Sequence, residues 1–165
     1  MLFKKSHKTT VRKTELKVLQ LFTFIEMPVD QIPDDVLLWG DAAWWPESCP
    51  VQFSRTGTGE VGLGTQYSFR LKGVMAPAGV SEITQYEPRQ VMERTFRRGF
   101  FTGYEVLQIS ERANGTRVDY EMHYRVSGVP RALLWNALYQ KKYIQAVEAV
   151  LESLKQYIVK NYYQD

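Results

Sequence analysis

One cysteine and two histidines in 165 residues remove several function classes at once. Cys49 has no partner for an internal disulfide, which fits a reducing, cytoplasmic location. With only His7 and His123 beside it, the three or four ligands that zinc normally takes are not available, so no metal and no cofactor is expected. No segment approaches the ~18 consecutive apolar residues of a membrane span. Neither sign of charge dominates: 21 Lys and Arg stand against 18 Asp and Glu, for a net charge of +3. The two signs are interspersed, so no nucleic-acid partner is expected. Repeats, low-complexity tracts and internal linkers are all missing. The chain reads as a single domain over residues 9–165 behind a basic tail over 1–8, expected to be disordered and lacking the apolar stretch of a secretory signal.

Glycine is absent from the last part of the chain, and this is where the pattern is clearest. From Pro130 to about Tyr163 neither a Gly nor a second Pro interrupts a helix. Apolar residues at Ala137, Ile144, Val147, Leu151, Leu154 and Ile158 fall on one stripe of a helix roughly 45–50 Å long. Pro130 suits its first turn. Upstream, Thr9 to Ile25 reads as a strand. Pro28 and Asp30 open a short helix that runs to Gly40, and Asp41 to Trp45 makes a second, stopped by Pro46. Six strands follow: Val51–Arg55, Thr65–Leu71, Val80–Glu87, Val91–Arg97, Thr102–Glu111 and Thr116–Val126. The fold class is α+β, a curved antiparallel sheet around a long C-terminal helix, a plan that leaves room for a cavity between them.

Two hairpins set the inward face. Asn114-Gly115 is a preferred two-residue turn because both positions tolerate positive φ. It would place Ile109 opposite Tyr120, Leu107 opposite Met122 and Glu105 opposite Tyr124. Val118, Tyr120, Met122, Tyr124 and Val126 then share the apolar face, while His123 and its charged neighbours face solvent. A turn near Gly99-Phe100 would put Met92 opposite Leu107, Arg94 opposite Glu105 and Phe96 over Gly103, so that an aromatic covers a glycine and opposite charges meet.

Several motifs lead elsewhere. Gly57-Thr58-Gly59-Glu60-Val61-Gly62 matches a dinucleotide-binding pattern, which needs a helix N-terminus after it. The next segment alternates like a strand, so it reads as a flexible hairpin loop. No G-x-S-x-G occurs, Cys49 has no His near it in sequence, and no catalytic residue is assigned. The expected cluster is Arg94, Glu105 and Tyr124 on the inward face, a polar island in an aromatic cup, because a charge in an apolar interior is costly unless paired. It admits three readings: a structural ion pair, a group that orients the polar end of a ligand, or an acid–base pair. The cup would be lined by Tyr67, Phe69, Met92, Phe96, Leu107, Tyr120, Met122, Trp135 and Tyr139 together with that island.

The order of elements resembles the helix-grip fold of the Bet v 1-like or START-like (SRPBCC) superfamily, over about Thr9 to Val159. More narrowly it is similar to the polyketide cyclase/dehydrase and lipid-transport branch. Trp44-Trp45-Pro46, the Gly59-to-Thr65 loop, Tyr86-Glu87-Pro88-Arg89 and Asn114-Gly115-Thr116-Arg117-Val118 carry the likeness. The resemblance implies a deep hydrophobic cavity reached near the Gly-rich loop and the short helices. The chain has no two-His–carboxylate iron set, against the oxygenase type. The expectation is non-catalytic binding or carriage of a small hydrophobic ligand. An aromatase/cyclase-like enzyme and a protein-interaction module with a closed core stay open beside it. Nothing in the pattern fixes the oligomeric state.

Overall fold

The computed structural model describes residues 15–162. The tail expected over 1–8, and residues 9–14 of the expected first strand, lie outside the described residues. Strand β1 (Lys17–Ile25) leads into two 3-10 turns, Val29–Gln31 and Asp34–Leu37. Six strands follow: β2 (Val51–Arg55), β3 (Gln66–Leu71), β4 (Ala78–Glu87), β5 (Val91–Gly99), β6 (Phe101–Arg112) and β7 (Gly115–Val126). Helix α1 (Val129–Leu134), a π turn (Trp135–Tyr139) and helix α2 (Gln140–Tyr162) then run on without a break. The seven strands form one antiparallel sheet in the order β1-β7-β6-β5-β4-β3-β2, curled around the helix. This is the α+β helix-grip architecture.

Alternation decides which side of the sheet is core. In β7, Val118, Tyr120, Met122 and Tyr124 are buried and face the helix, while Arg117, Asp119, Glu121 and His123 point out. Opposite them β6 contributes Glu105, Leu107 and Ile109, and β5 contributes Met92, Arg94 and Phe96. The β5–β6 pairs are Met92–Leu107, Arg94–Glu105 and Phe96–Gly103.

The β6–β7 register differs from expectation by two residues. The turn is Ala113-Asn114, and Arg112 pairs with Gly115, so Ile109 faces Val118, Leu107 faces Tyr120 and Glu105 faces Met122. Gly115 is used for close approach and not as a turn residue: a Cβ there would run into the Ile25 carbonyl oxygen. A slip of two keeps every side chain on its face but changes its neighbours.

Two other expectations are corrected. The second short helix, Asp41–Trp45, is a string of turns, closed by bonds from Asp41 N to Leu38 O and from Trp45 N to Ala42 O (both 3.0 Å). Trp44 is buried and Trp45 half-buried, and their packing on Trp39 overrides a local helix: Trp39 meets Trp45 edge-on at 5.1 Å and Trp44 at 6.2 Å. The helix stripe is also different. Ala137 is exposed and Ile144 half-buried, whereas Trp135, Tyr139 and Tyr143 are buried in line with Val147, Leu151, Leu154 and Ile158. The π turn widens the helix locally, so residues four apart stay on the sheet-facing side where an ideal α-helix would rotate them away.

Candidate ligand-binding site

At the centre of the inward face, two adjacent strands place opposite charges side by side. Arg94 Nη2 lies 2.6 Å from Glu105 Oε1, with the two side chains 1% and 5% exposed. This ion pair engages Nη2, while Nε has no acceptor among the described residues. Nη1 donates to the Trp39 carbonyl oxygen at 3.0 Å. The guanidinium also lies 4.5 Å from the Phe53 ring centroid and 5.0 Å from that of Tyr67. A buried cation is thus offset by one carboxylate, one carbonyl and two ring faces.

The phenol of this island is Tyr120, not Tyr124. Tyr120 donates to Glu105 Oε2 at 2.8 Å, and its hydroxyl lies 2.5 Å from that of Tyr143 on α2. The two-residue register difference brings Tyr120 there. Tyr124 instead accepts from Trp135 Nε1 (3.2 Å) and Gln140 Nε2 (3.3 Å), fixing β7 to the helix. Burial, and then the Glu105 carboxylate, push both Tyr120 and Tyr143 well above the usual phenol range. Burial and the neighbouring Asp41 raise Tyr67 as well.

All twelve residues expected to line a cavity are buried, but they do not surround one open space. Trp39 fills the centre, stacked on Tyr120 at 4.9 Å and 16°. The space among Trp39, Trp45, Cys49, Tyr143 and Val147 is too small for a water molecule. Phe69, Phe96, Phe101, Tyr124 and Trp135 continue as an unbroken chain of aromatic contacts. Met92, Leu107 and Met122 pack beside the island, and Tyr139 donates to the Val74 carbonyl oxygen at 2.6 Å.

Open volume lies instead at the β2–β3 edge, in a groove of about 740 Å³ between the 45–50 and 73–79 segments. Trp45, Cys49, Val51, Phe53, Phe69 and Met75 supply its apolar wall. Of the twelve expected residues only Phe69 reaches it. Phe53 is the link, since the same ring that lines the groove covers Arg94 on the other side. The alternation Val51-in, Gln52-out, Phe53-in was available to find it. The edge position of β2 was not, because it depends on the curl of the whole sheet. Among the described residues no three His, Cys, Asp or Glu side chains are grouped for a metal.

A curled antiparallel sheet gripping one long C-terminal helix is the fold of the Bet v 1-like/START-like superfamily. Within it, the chain belongs to the family described as polyketide cyclase/dehydrase and lipid transport, whose model matches residues 25–159. No curated protein matches the chain. Solved structures resemble it in fold. TTHA0849 from Thermus thermophilus is 16% identical, with a TM-score of 0.65 over 87% of this chain and 98% of its own. Ara h 8.0201 is 10% identical, with a TM-score of 0.62 over 88% and 99%. Protein Ms6760 from Mycobacterium smegmatis is 18% identical, with a TM-score of 0.56 over 87% and 91%. Family and fold support a domain of the hydrophobic-ligand-binding kind.

Proposed function

We propose that this protein binds and carries a small hydrophobic ligand, lipid-like or aromatic, between the sheet and the C-terminal helix. Its polar end is held at Arg94, Glu105 and Tyr120. The observation that carries this reading is a fully buried guanidinium whose Nε has no acceptor among the described residues, enclosed by aromatic rings that a ligand could replace. The groove at the β2–β3 edge has the volume of a ligand pocket. Outward movement of Phe53 and Trp39 would join it to the island. A ligand carboxylate or carbonyl would then take the place of the Trp39 oxygen on Arg94, and the ligand body would replace the indole. Tyr120 and Tyr143 hold their protons well above neutral pH. The Arg94–Glu105 pair neutralises itself. Such a cluster favours donating hydrogen bonds over moving protons, and so favours carriage over the cyclase reading. The buried, unpaired Cys49 supports a reducing, cytoplasmic setting.

Tryptophan fluorescence tests the reading, because Trp39 leaves Tyr120 when ligand enters. Titration with a long-chain fatty acid should change the emission saturably. Arg94→Met should weaken the fatty acid about tenfold or more and the matching alkane far less, since only the former uses the cation. Equal loss for both, or no saturable change with either, would overturn it. Native mass spectrometry of protein purified from its own host should show a retained, unmodified lipid or aromatic molecule.

A further inference from the structure

Net charge conceals a lopsided distribution. Strand register places the β3–β4 loop, the β5–β6 turn and the start of the helix at one end of the sheet. Side chains tie these segments together: Tyr139 donates to Val74 O (2.6 Å) and Arg131 to Gly99 O (3.4 Å). The three sequences that meet here, residues 69–81, 94–104 and 122–147, contain no Asp or Glu. They present Lys72, Arg98, Arg131, Lys141 and Lys142 to solvent. Acidic residues from other segments also border this end: Glu47 lines the groove with Gly73 and Met75, and Glu15 lines a pocket with Ala132 and Trp135.

The same end carries exposed apolar side chains. Of the ten large hydrophobic residues most exposed among the described residues, five are here: Val74 (86%), Met75 (79%), Val129 (73%), Leu133 (65%) and Leu138 (54%). Val74 and Met75 sit at the tip of a loop held against the helix by Tyr139, with Met75 in a left-handed conformation (φ 55°). Basic residues alone would suit any polyanion. Apolar residues projecting among them suit one whose interior accepts hydrocarbon, because each buried CH₂ adds a favourable increment that a phosphate backbone cannot supply.

We propose that this end docks on an anionic lipid surface, with the Val74–Met75 tip and Leu138 inserted among the head groups and the surrounding Lys and Arg side chains paired with lipid phosphates. Gly73 and Met75 of this loop also line the groove at the β2–β3 edge. The proposal does not rest on what the interior binds.

Vesicle co-sedimentation of the full chain, without added ligand, tests it. The protein should sediment with phosphatidylcholine vesicles containing phosphatidylglycerol and remain free with phosphatidylcholine alone. Raising the salt should release it. Lys141→Glu with Lys142→Glu should weaken binding more than tenfold, as each basic residue near such a surface contributes roughly fivefold. Val74→Asp with Met75→Asp should weaken it comparably at unchanged melting temperature, since both sites are solvent-exposed and Asp accepts the left-handed conformation. Leu63→Asp, on an exposed loop at the opposite end of β3, should leave binding intact. Unchanged sedimentation of the Val74–Met75 variant would assign any binding to charge elsewhere, the basic N-terminal residues included, and overturn the proposal. So would equal binding to neutral vesicles, or binding to duplex DNA or RNA with none to vesicles.

Discussion

Single side chains at the centre of the sheet carry unusually large consequences here because each satisfies more than one neighbour. Tyr120 joins Glu105 to Tyr143 and stacks on Trp39. Tyr120→Phe keeps the stacking and removes the hydroxyl, leaving Glu105 Oε2 without a donor. Urea denaturation should show a loss of about 1–3 kcal/mol. Replacing Arg94 alone leaves a buried carboxylate and should cost about 3–5 kcal/mol, whereas Arg94→Met with Glu105→Gln removes both charges and should recover part of that loss. A double variant no more stable than Arg94→Met would mean that the pair does not act as a unit. Gly103 is the other sensitive position, at φ 124° beneath Phe96, where a Cβ would run into the His123 carbonyl. Gly103→Ala should destabilise by about 2–3 kcal/mol, the scale of a strained backbone position.

Among the elements, the C-terminal helix and the β3–β4 loop depend on each other. The π turn keeps Trp135, Tyr139 and Tyr143 on the sheet-facing side, and Tyr139 reaches across to Val74. Tyr139→Phe should leave global stability within about 1.5 kcal/mol, the usual net value of one hydrogen bond. Amide exchange should nevertheless accelerate at residues 73–76 more than elsewhere. Uniform acceleration across the sheet would contradict a local role. Element boundaries and strand faces were largely legible in the sequence: all six strands from β2 to β7 fall within two residues of the expected spans. The Asn114-Gly115 signal located the hairpin but misplaced its turn, because Gly115 answers to the approach of β1 and not to the turn. The Asp41–Trp45 helix failed for a related reason, since its two indoles pack on Trp39 from another segment.

For the whole molecule, Tyr120 and Tyr143 make stability dependent on alkaline pH. Their pKa values are raised in the folded state. The unfolded chain therefore loses these protons first, from about pH 10 upward. Above that pH the unfolded state binds fewer protons than the native one, and stability falls as pH rises. Thermal melts should be flat with respect to these groups below about pH 9 and then decline, with Tyr120 and Tyr143 ionising at higher pH than exposed tyrosines in tyrosinate absorbance. Tyr120→Phe should remove part of that decline. Ligand binding acts in the opposite sense: a ligand at 100 times its Kd should add about 2.7 kcal/mol. That corresponds to a melting shift of roughly 5–10 °C for a chain of this size.

Local periodicity depends only on each segment's own residues, and so the sequence by itself determined the order of strands and helix, which strand side chains face inward, and that Arg94 would stand against Glu105. Parity survives a register slip of two, which is why those inferences held while the partner phenol did not. The tertiary structure alone decided that Tyr120 and not Tyr124 joins the pair, that Trp39 occupies the space expected to be open, and that free volume lies at the β2–β3 edge. It also decided that basic and apolar residues scattered through three segments meet at one end. Each of these depends on contacts between residues far apart in the chain, which curl, register and loop packing fix together and no single segment encodes.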